Sequence, residues 1–438
     1  MLARGATQDS IQDLGRPAAP QAEIRTMHIL QIYKDYAPVL GGIENHVRDL
    51  GEGLAARGHR VTVLVTSLDR RTAIERPQPG LTVIKAARTL HLASTPLSLA
   101  MLQLARTQRP DLVHLHFPYP PGDLVYWQMP VRAPLVLTYH SDIVRQQNLL
   151  RLYRPLMELT LRRAARILPT SPNYMVSSPF LRRHAARCSV VPLGIDTARF
   201  AYADAHQAAA TRARYGAPLL LFVGRLRYYK GLHVLIEAMP SVRAELLIGG
   251  SGPERERLAA QAARLGVAAR VHFLGDVPDA DLPGLYHAAD LFVMPAHLRA
   301  EALGLAQIEA LASGLPCVST ELGTGTSFAN LHGVTGLVVP PGERARAGCG
   351  DQRAAGRPGA APGLWRGRAP PRRRAVRAAA HARPDRDCLS RGVDIMLLVC
   401  HPVPHAGEHS LPLSTKKRIS FWRILYYTES ALAQGACT

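Results

Sequence analysis

The chain has 438 residues, of which 47% are apolar, and carries a formal net charge of +20. That length rules out a disulfide-stapled miniprotein and allows two to three domains, each with a sizeable core. No apolar run reaches the roughly 18 residues that cross a bilayer, and the six cysteines stand far apart with neither CxxC nor zinc spacing, as expected of free thiols in a reducing compartment.

So high a charge suggests nucleic acid or a membrane as partner, but about half of the excess falls in residues 343–438. Residues 1–26 are polar, unpatterned and without the apolar stretch of an export signal. They read as a disordered arm or a mis-called start ahead of Met27, and the protein is expected to stay in the cytoplasm. From His28 the pattern changes. His28–Tyr33 reads as a strand, Gly41-Gly42 closes a loop, and Ile43, Val47, Leu50 and Leu54 mark one face of a helix that stops at Gly58. A strand over Arg60–Thr66 follows, so the unit implies a parallel sheet. Further strands are expected near Thr82–Lys85, Asp111–His116, Pro134–Tyr139, Arg166–Pro169 and Val190–Leu193.

A second series begins at Pro218. Its strands are Leu219–Val223, Glu245–Ile248, Val271–Leu274, Leu291–Met294, Pro316–Ser319 and Gly336–Val339, with helices starting near Gly231, Pro253, Asp281 and Gly304. The fold class is therefore α/β, with two Rossmann-like doubly wound domains facing a cleft. The boundaries are 27–196 for the first domain, 197–216 for a linker and 217–342 for the second. Such sheets bind ligands at the carboxyl ends of their strands.

Three strand-end loops carry chemistry, and a helix start carries more. Gly41-Gly42 opens a helix, where a phosphate is held, although a tight turn explains the pair equally well. No GxGxxG is present there. His140, in Thr138-Tyr-His-Ser-Asp142, is either a contact for a reacting sugar or a hydrogen-bonded surface histidine. Arg225 and Lys230 bracket a loop that enters a helix; they either clamp a diphosphate or are ordinary surface charge in a basic chain. The stretch His297–Pro316 places Glu301 in a strand-to-helix loop and Glu309 about one and a half turns into the helix, with Gly304 between them. Two carboxylates there can accept hydrogen bonds from sugar hydroxyls. They can equally be a helix cap and a solvated helix residue.

Taken together, GGIENH (41–46), YHSD (139–142), VPLGID (191–196), GRLRYYKG (224–231), GSGPE (250–254) and EALGLAQIE (301–309) resemble the family-four retaining glycosyltransferases with the GT-B fold. The likeness covers roughly residues 27–342 and is nearest to bacterial surface-polysaccharide members that use mannose or a related sugar. It implies that Gly42 faces the donor diphosphate and His140 contacts the transferred sugar. Arg225 and Lys230 would neutralise the diphosphate in place of a metal. Glu301 would hold sugar hydroxyls, Glu309 the ribose, and the backbone from Leu303 through Gly304 to Leu305 both sugar and phosphate. It further implies no metal and no cofactor beyond a nucleotide-sugar donor such as GDP-mannose. The acceptor would be lipid-linked or a saccharide at the inner face of the plasma membrane, and nucleic acid is not expected as a partner.

Asn148 to Leu168 adds leucines at helical spacing and several arginines, Arg145 to Arg166, which suits an anionic membrane surface; an ordinary packed helix interrupted at Pro155 is the other reading. After Gly342 the pattern stops. Residues 343–392 are dominated by Arg, Ala, Gly and Pro, as a basic disordered tail or a changed reading frame would give. The second case leaves an inactive or donor-binding-only product of a damaged gene as an alternative function.

Overall fold

A computed structural model describes residues 26–342 apart from positions 40, 93–94 and 131–132, so the expectations for 1–25 and 343–438 lie outside the described residues. The strands, in chain order, are β1 (His28–Ile32), β2 (Arg60–Thr66), β3 (Ala73–Gln78), β4 (Leu81–Ala86), β5 (Leu90–Leu92), β6 (Thr95–Leu97), β7 (Leu112–Phe117), β8 (Leu135–Tyr139) and β9 (Arg166–Pro169). The second series is β10 (Leu219–Val223), β11 (Glu245–Gly249), β12 (Val271–Gly275), β13 (Leu291–Met294), β14 (Cys317–Thr320) and β15 (Gly336–Val339).

The first sheet runs β3-β4-β2-β1-β7-β8-β9 and the second β12-β11-β10-β13-β14-β15. Every pairing in them is parallel except the antiparallel edge β3–β4. Central strands such as β1 (HILQI) and β13 (LFVM) are buried along their whole length. That is why they read as unbroken runs rather than alternating ones: helices cover both faces of a parallel sheet. One apolar core fills the first unit, from Leu30 to Leu181. Two more fill the second, one built around Phe222, Leu235 and Ile248, the other around Tyr286, Phe292 and Met294.

Three expectations need correction. Val190–Leu193 is no strand; only a partial ladder forms, from Ser189 N–H to the Ile167 carbonyl and Val191 N–H to the Pro169 carbonyl, and Pro192 cannot donate to continue it. The 197–216 linker holds two helices, Thr197–Ala201 and Ala205–Tyr215, with Asp196 and Asp204 as N-caps. Phe200 of this stretch joins the second unit's core. The Asn148–Leu168 segment is a helix over Gln147–Arg163 that runs through Pro155, followed by β9. Pro155 is exposed, so water can serve the carbonyl that loses its partner. Arg145 precedes that helix and lies over the Tyr228 ring of the second unit, 4.8 Å from its centroid. Two features went unforeseen: the exposed edge strand β3 and the small hairpin β5–β6.

Candidate functional site

The carboxyl ends of β1, β7 and β8 form one wall of the cleft. His116 lies near the end of β7, and His140 follows β8 directly. His46 comes from the helix Gly42–Ala56. The His116 and His140 rings are stacked at 5.4 Å, and His46 meets each edge-on at 5.6 Å. The three offer ring nitrogens within 4.8 Å of one another, the one such His/Cys/Asp/Glu group among the described residues. Burial, with neighbouring imidazoles adding to it, holds His116 and His140 well below the ordinary histidine value. Burial takes His46 to about 4 and His114 to about 3. The imidazole cluster is therefore polar and uncharged near neutral pH. Of the cluster, the sequence singled out His140 alone. The signal for His116 was the alternation His114-x-His116, which puts both rings on one face of β7.

The opposite wall is charged. Gly224 ends β10 with φ +145°, and the loop reaches Gly231, left-handed at φ +72°. A β-carbon on Gly231 would stand 1.8 Å from the Pro295 carbonyl oxygen, so only glycine lets this loop lie against the end of β13. The turn holds Lys230 Nζ 2.5 Å from Glu301 Oε2, both side chains nearly buried. Burial opposes the Lys230 charge, but the Glu301 carboxylate and the Tyr229 ring outweigh it and raise its pKa above the ordinary lysine value. Arg225 is half-buried on the same loop.

Gly304 is left-handed (φ +77°) and opens the helix Leu305–Ala312. Leu303 is buried, and its carbonyl accepts from Gln307 Nε2 at 2.7 Å. Glu309 lies just over one turn into the helix, where Tyr286 Oη donates to its Oε2 at 2.7 Å. Burial raises its pKa, and the Tyr286 bond opposes that rise. Lys230, Glu301, Gly304 and Leu305 are thus brought together, while Glu309 is held by a tyrosine on the second unit's own core.

The walls meet. A β-carbon on Gly42 would lie 3.1 Å from Leu305 Cδ1, so the first residues of two helices, one from each unit, are in contact. Beside the cleft, Arg299 reaches Asp142 at 3.3 Å and Ser177 at 3.0 Å, and Asn173 donates to Ser327 at 3.0 Å. Asp142 also accepts from Tyr139 and Ser178 at 2.7 and 2.8 Å. Asp142, two residues after His140, is therefore part of a latch between the units.

Two family descriptions match: Glycosyltransferase Family 4 over residues 40–199 and Glycosyl transferases group 1 over residues 206–347. The chain is 41% identical over 322 residues to the D-rhamnosyltransferase WbpZ of Pseudomonas aeruginosa, covering 73% of this chain and 84% of that protein. It is 36% identical to the O-antigen chain mannosyltransferase C of Escherichia coli, covering 72% and 85%. A third relative, the GDP-mannose-dependent alpha-(1-6)-phosphatidylinositol monomannoside mannosyltransferase of Mycobacterium tuberculosis, is 30% identical over 71% and 84%. Among solved structures, sucrose-phosphate synthase from Thermosynechococcus elongatus superposes with a TM-score of 0.63 at 25% identity, covering 74% of this chain and 89% of that one. HepE from Anabaena, in complex with UDP and glucose, gives 0.58 at 22%, covering 75% and 90%. The chain belongs to family 4 of the glycosyltransferases and has their two-domain GT-B fold.

Proposed function

We propose that this glycosyltransferase is a retaining hexosyltransferase that moves mannose or a closely related hexose from a GDP-sugar to a saccharide or lipid-linked acceptor. The observation that carries it is the buried Lys230–Glu301 pair facing a neutral histidine wall across a seam of two helix starts. Lys230 Nζ has three donors. Glu301 occupies one and leaves two for a diphosphate, whose negative charge grows as the sugar departs. With Arg225 it does the work a divalent metal would otherwise do, and Glu301 keeps Oε1 for a sugar hydroxyl. Helix N–H groups at Leu305 and Gly42 suit the phosphates. The C1–phosphate bond breaks, the acceptor oxygen bonds C1 on the same face, and the acceptor proton goes to the departing phosphate oxygen. Glu309 reaches the donor ribose with the oxygen that Tyr286 does not hold.

The sugar class is supported by what the rhamnosyl- and mannosyltransferase relatives are named for, and the donor by the GDP-mannose-dependent relative. Identity of 41% across both cleft walls supports an active enzyme over a donor-binding-only product. The helix Gln147–Arg163 exposes Leu149, Leu152 and Leu159 beside Arg151, Arg154, Arg162 and Arg163, a surface suited to anionic lipid. Among the described residues no helix is long and apolar enough to cross a membrane, so the contact would be peripheral, at the inner leaflet. The test is transfer from GDP-mannose in excess EDTA, with the product's anomeric configuration read by NMR. Retention without metal is expected; inversion, or activity restored only by manganese, overturns the reading.

A further inference from the structure

The three-histidine group admits two readings, a metal site or a hydrogen-bond wire. His116 Nδ1 lies 3.1 Å from His140 Nε2, and His116 Nε2 lies 3.0 Å from Gln31 Oε1. All three residues are buried, with Gln31 at 0% exposure, His116 at 1% and His140 at 2%. The Gln31 amide is placed with its oxygen toward the ring, its Nε2 having no partner among the described residues, and in this orientation the carbonyl oxygen accepts. His116 therefore carries its proton on Nε2. Being neutral, it has a bare Nδ1. The contact at 3.1 Å then needs a proton from the other side, so His140 carries its own on Nε2 and is bare at Nδ1. That Nδ1 has no partner among the described residues. In this arrangement the lone pair a cation would take on His116 is already used, so the wire fits better than the metal.

We propose that Gln31 and His116 are positioning residues that lock His140 in one tautomer, so that its Nδ1 presents a fixed acceptor for a hydroxyl of the transferred sugar. A buried acceptor without a partner is costly, by about 1–3 kcal/mol, and the hydroxyl removes that cost as the cleft closes. No proton changes hands. The consequence is selectivity by chemistry: a donor sugar lacking that hydroxyl, or carrying a group that cannot donate in its place, leaves Nδ1 stranded. This inference rests on His140 contacting the sugar, and the experiment separates the two.

Wild type, Gln31→Leu and His140→Ala are compared in full-length protein by kinetics with GDP-mannose and by NMR of nitrogen-labelled histidine. His140 is expected to show protonated Nε2 and bare Nδ1 in wild type. Gln31→Leu, close in size, is expected to mix the tautomers and lower kcat roughly 10- to 100-fold, the range for partners that orient metal-bound imidazoles, with a thermal midpoint lowered by the one lost hydrogen bond. A wild-type spectrum with Nδ1 protonated, or Gln31→Leu with one His140 tautomer and wild-type kcat, overturns the wire. Zinc inhibition that vanishes in His46→Ala would show lone pairs converging on a cation and overturn it too. If His140→Ala transfers sugar normally, the sugar-contact reading fails, whatever the tautomer.

Discussion

The two walls of the cleft solve the same problem with opposite chemistry. On the first unit His116 and His140, at the ends of β7 and β8, are neutral imidazoles, kept so by burial. On the second unit the matching position holds a lysine whose charge is secured by a glutamate 2.5 Å away. A neutral wall can orient hydroxyls without attracting the nucleotide. A charged wall can hold a diphosphate without fixing which sugar hangs from it. On the proposed function, this division would keep sugar choice and leaving-group stabilisation on separate elements, each free to vary without the other.

Acidification should break this symmetry most strongly. In the first unit histidine pKa values are depressed at His28, His46, His114, His116 and His140, and in the second at His297. A depressed folded-state value means that the unfolded chain binds protons first. The stability these rings contribute is complete above about pH 6.5 and is lost as pH falls toward their folded values, about 4 for His46. For His46 alone the loss is on the order of 3 kcal/mol. Hydrogen exchange between about pH 7 and 4.5 should show the first unit opening well before the second; simultaneous opening would contradict the contrast.

The next largest effect is expected from Lys230→Ala, a loss of roughly 2–4 kcal/mol of transition-state stabilisation, appearing in kcat. Because the change also strands Glu301, the double variant with Glu301→Gln is the control: it should recover thermal stability but not kcat. An effect confined to KM would mean the ammonium only binds the donor. Smaller still is Tyr286→Phe, which removes the hydrogen bond donated to Glu309 Oε2. Stability should drop by about 1–2 kcal/mol, with donor KM rising and kcat kept. Smallest is Leu152→Glu on the exposed face of the Gln147–Arg163 helix, where Leu152 is 83% exposed. It should weaken low-salt pelleting with anionic vesicles several-fold while leaving transfer to a water-borne acceptor unchanged. Equal pelleting would remove that face from consideration.

The sequence made the sheet legible because buried parallel strands are written as contiguous apolar runs between turns, and most motifs lie close after the strands that carry them. It exposed Lys230, Glu301 and His140 through strand-end position. It could not show that Lys230 pairs with Glu301, because that contact is made by the fold across two loops. It hid His46 and Gln31 for a related reason: one is a polar residue on an otherwise ordinary helix, the other a lone polar residue inside a core strand, and only convergence gives them meaning. Edge strand β3 (AIERPQ) escaped because an exposed edge needs no apolar run. Val190–Leu193 misled because its apolar residues satisfy only half a ladder.

Gly42 and Leu305 give the cleft a further property. Each begins a helix, and each helix start carries a partial positive charge, so the seam brings like poles together. The Glu44 carboxylate in the first turn of one helix offsets part of that charge, and an anion placed at the seam would offset the rest. A nucleotide diphosphate would then act as a fastener, and shutting of the two units and grip on the donor become one shared free energy, read from either end. Anything that props the units apart must weaken the donor by the same factor by which the donor draws them together. Scattering profiles that do not contract when GDP is added would show that the poles are already balanced by the protein itself.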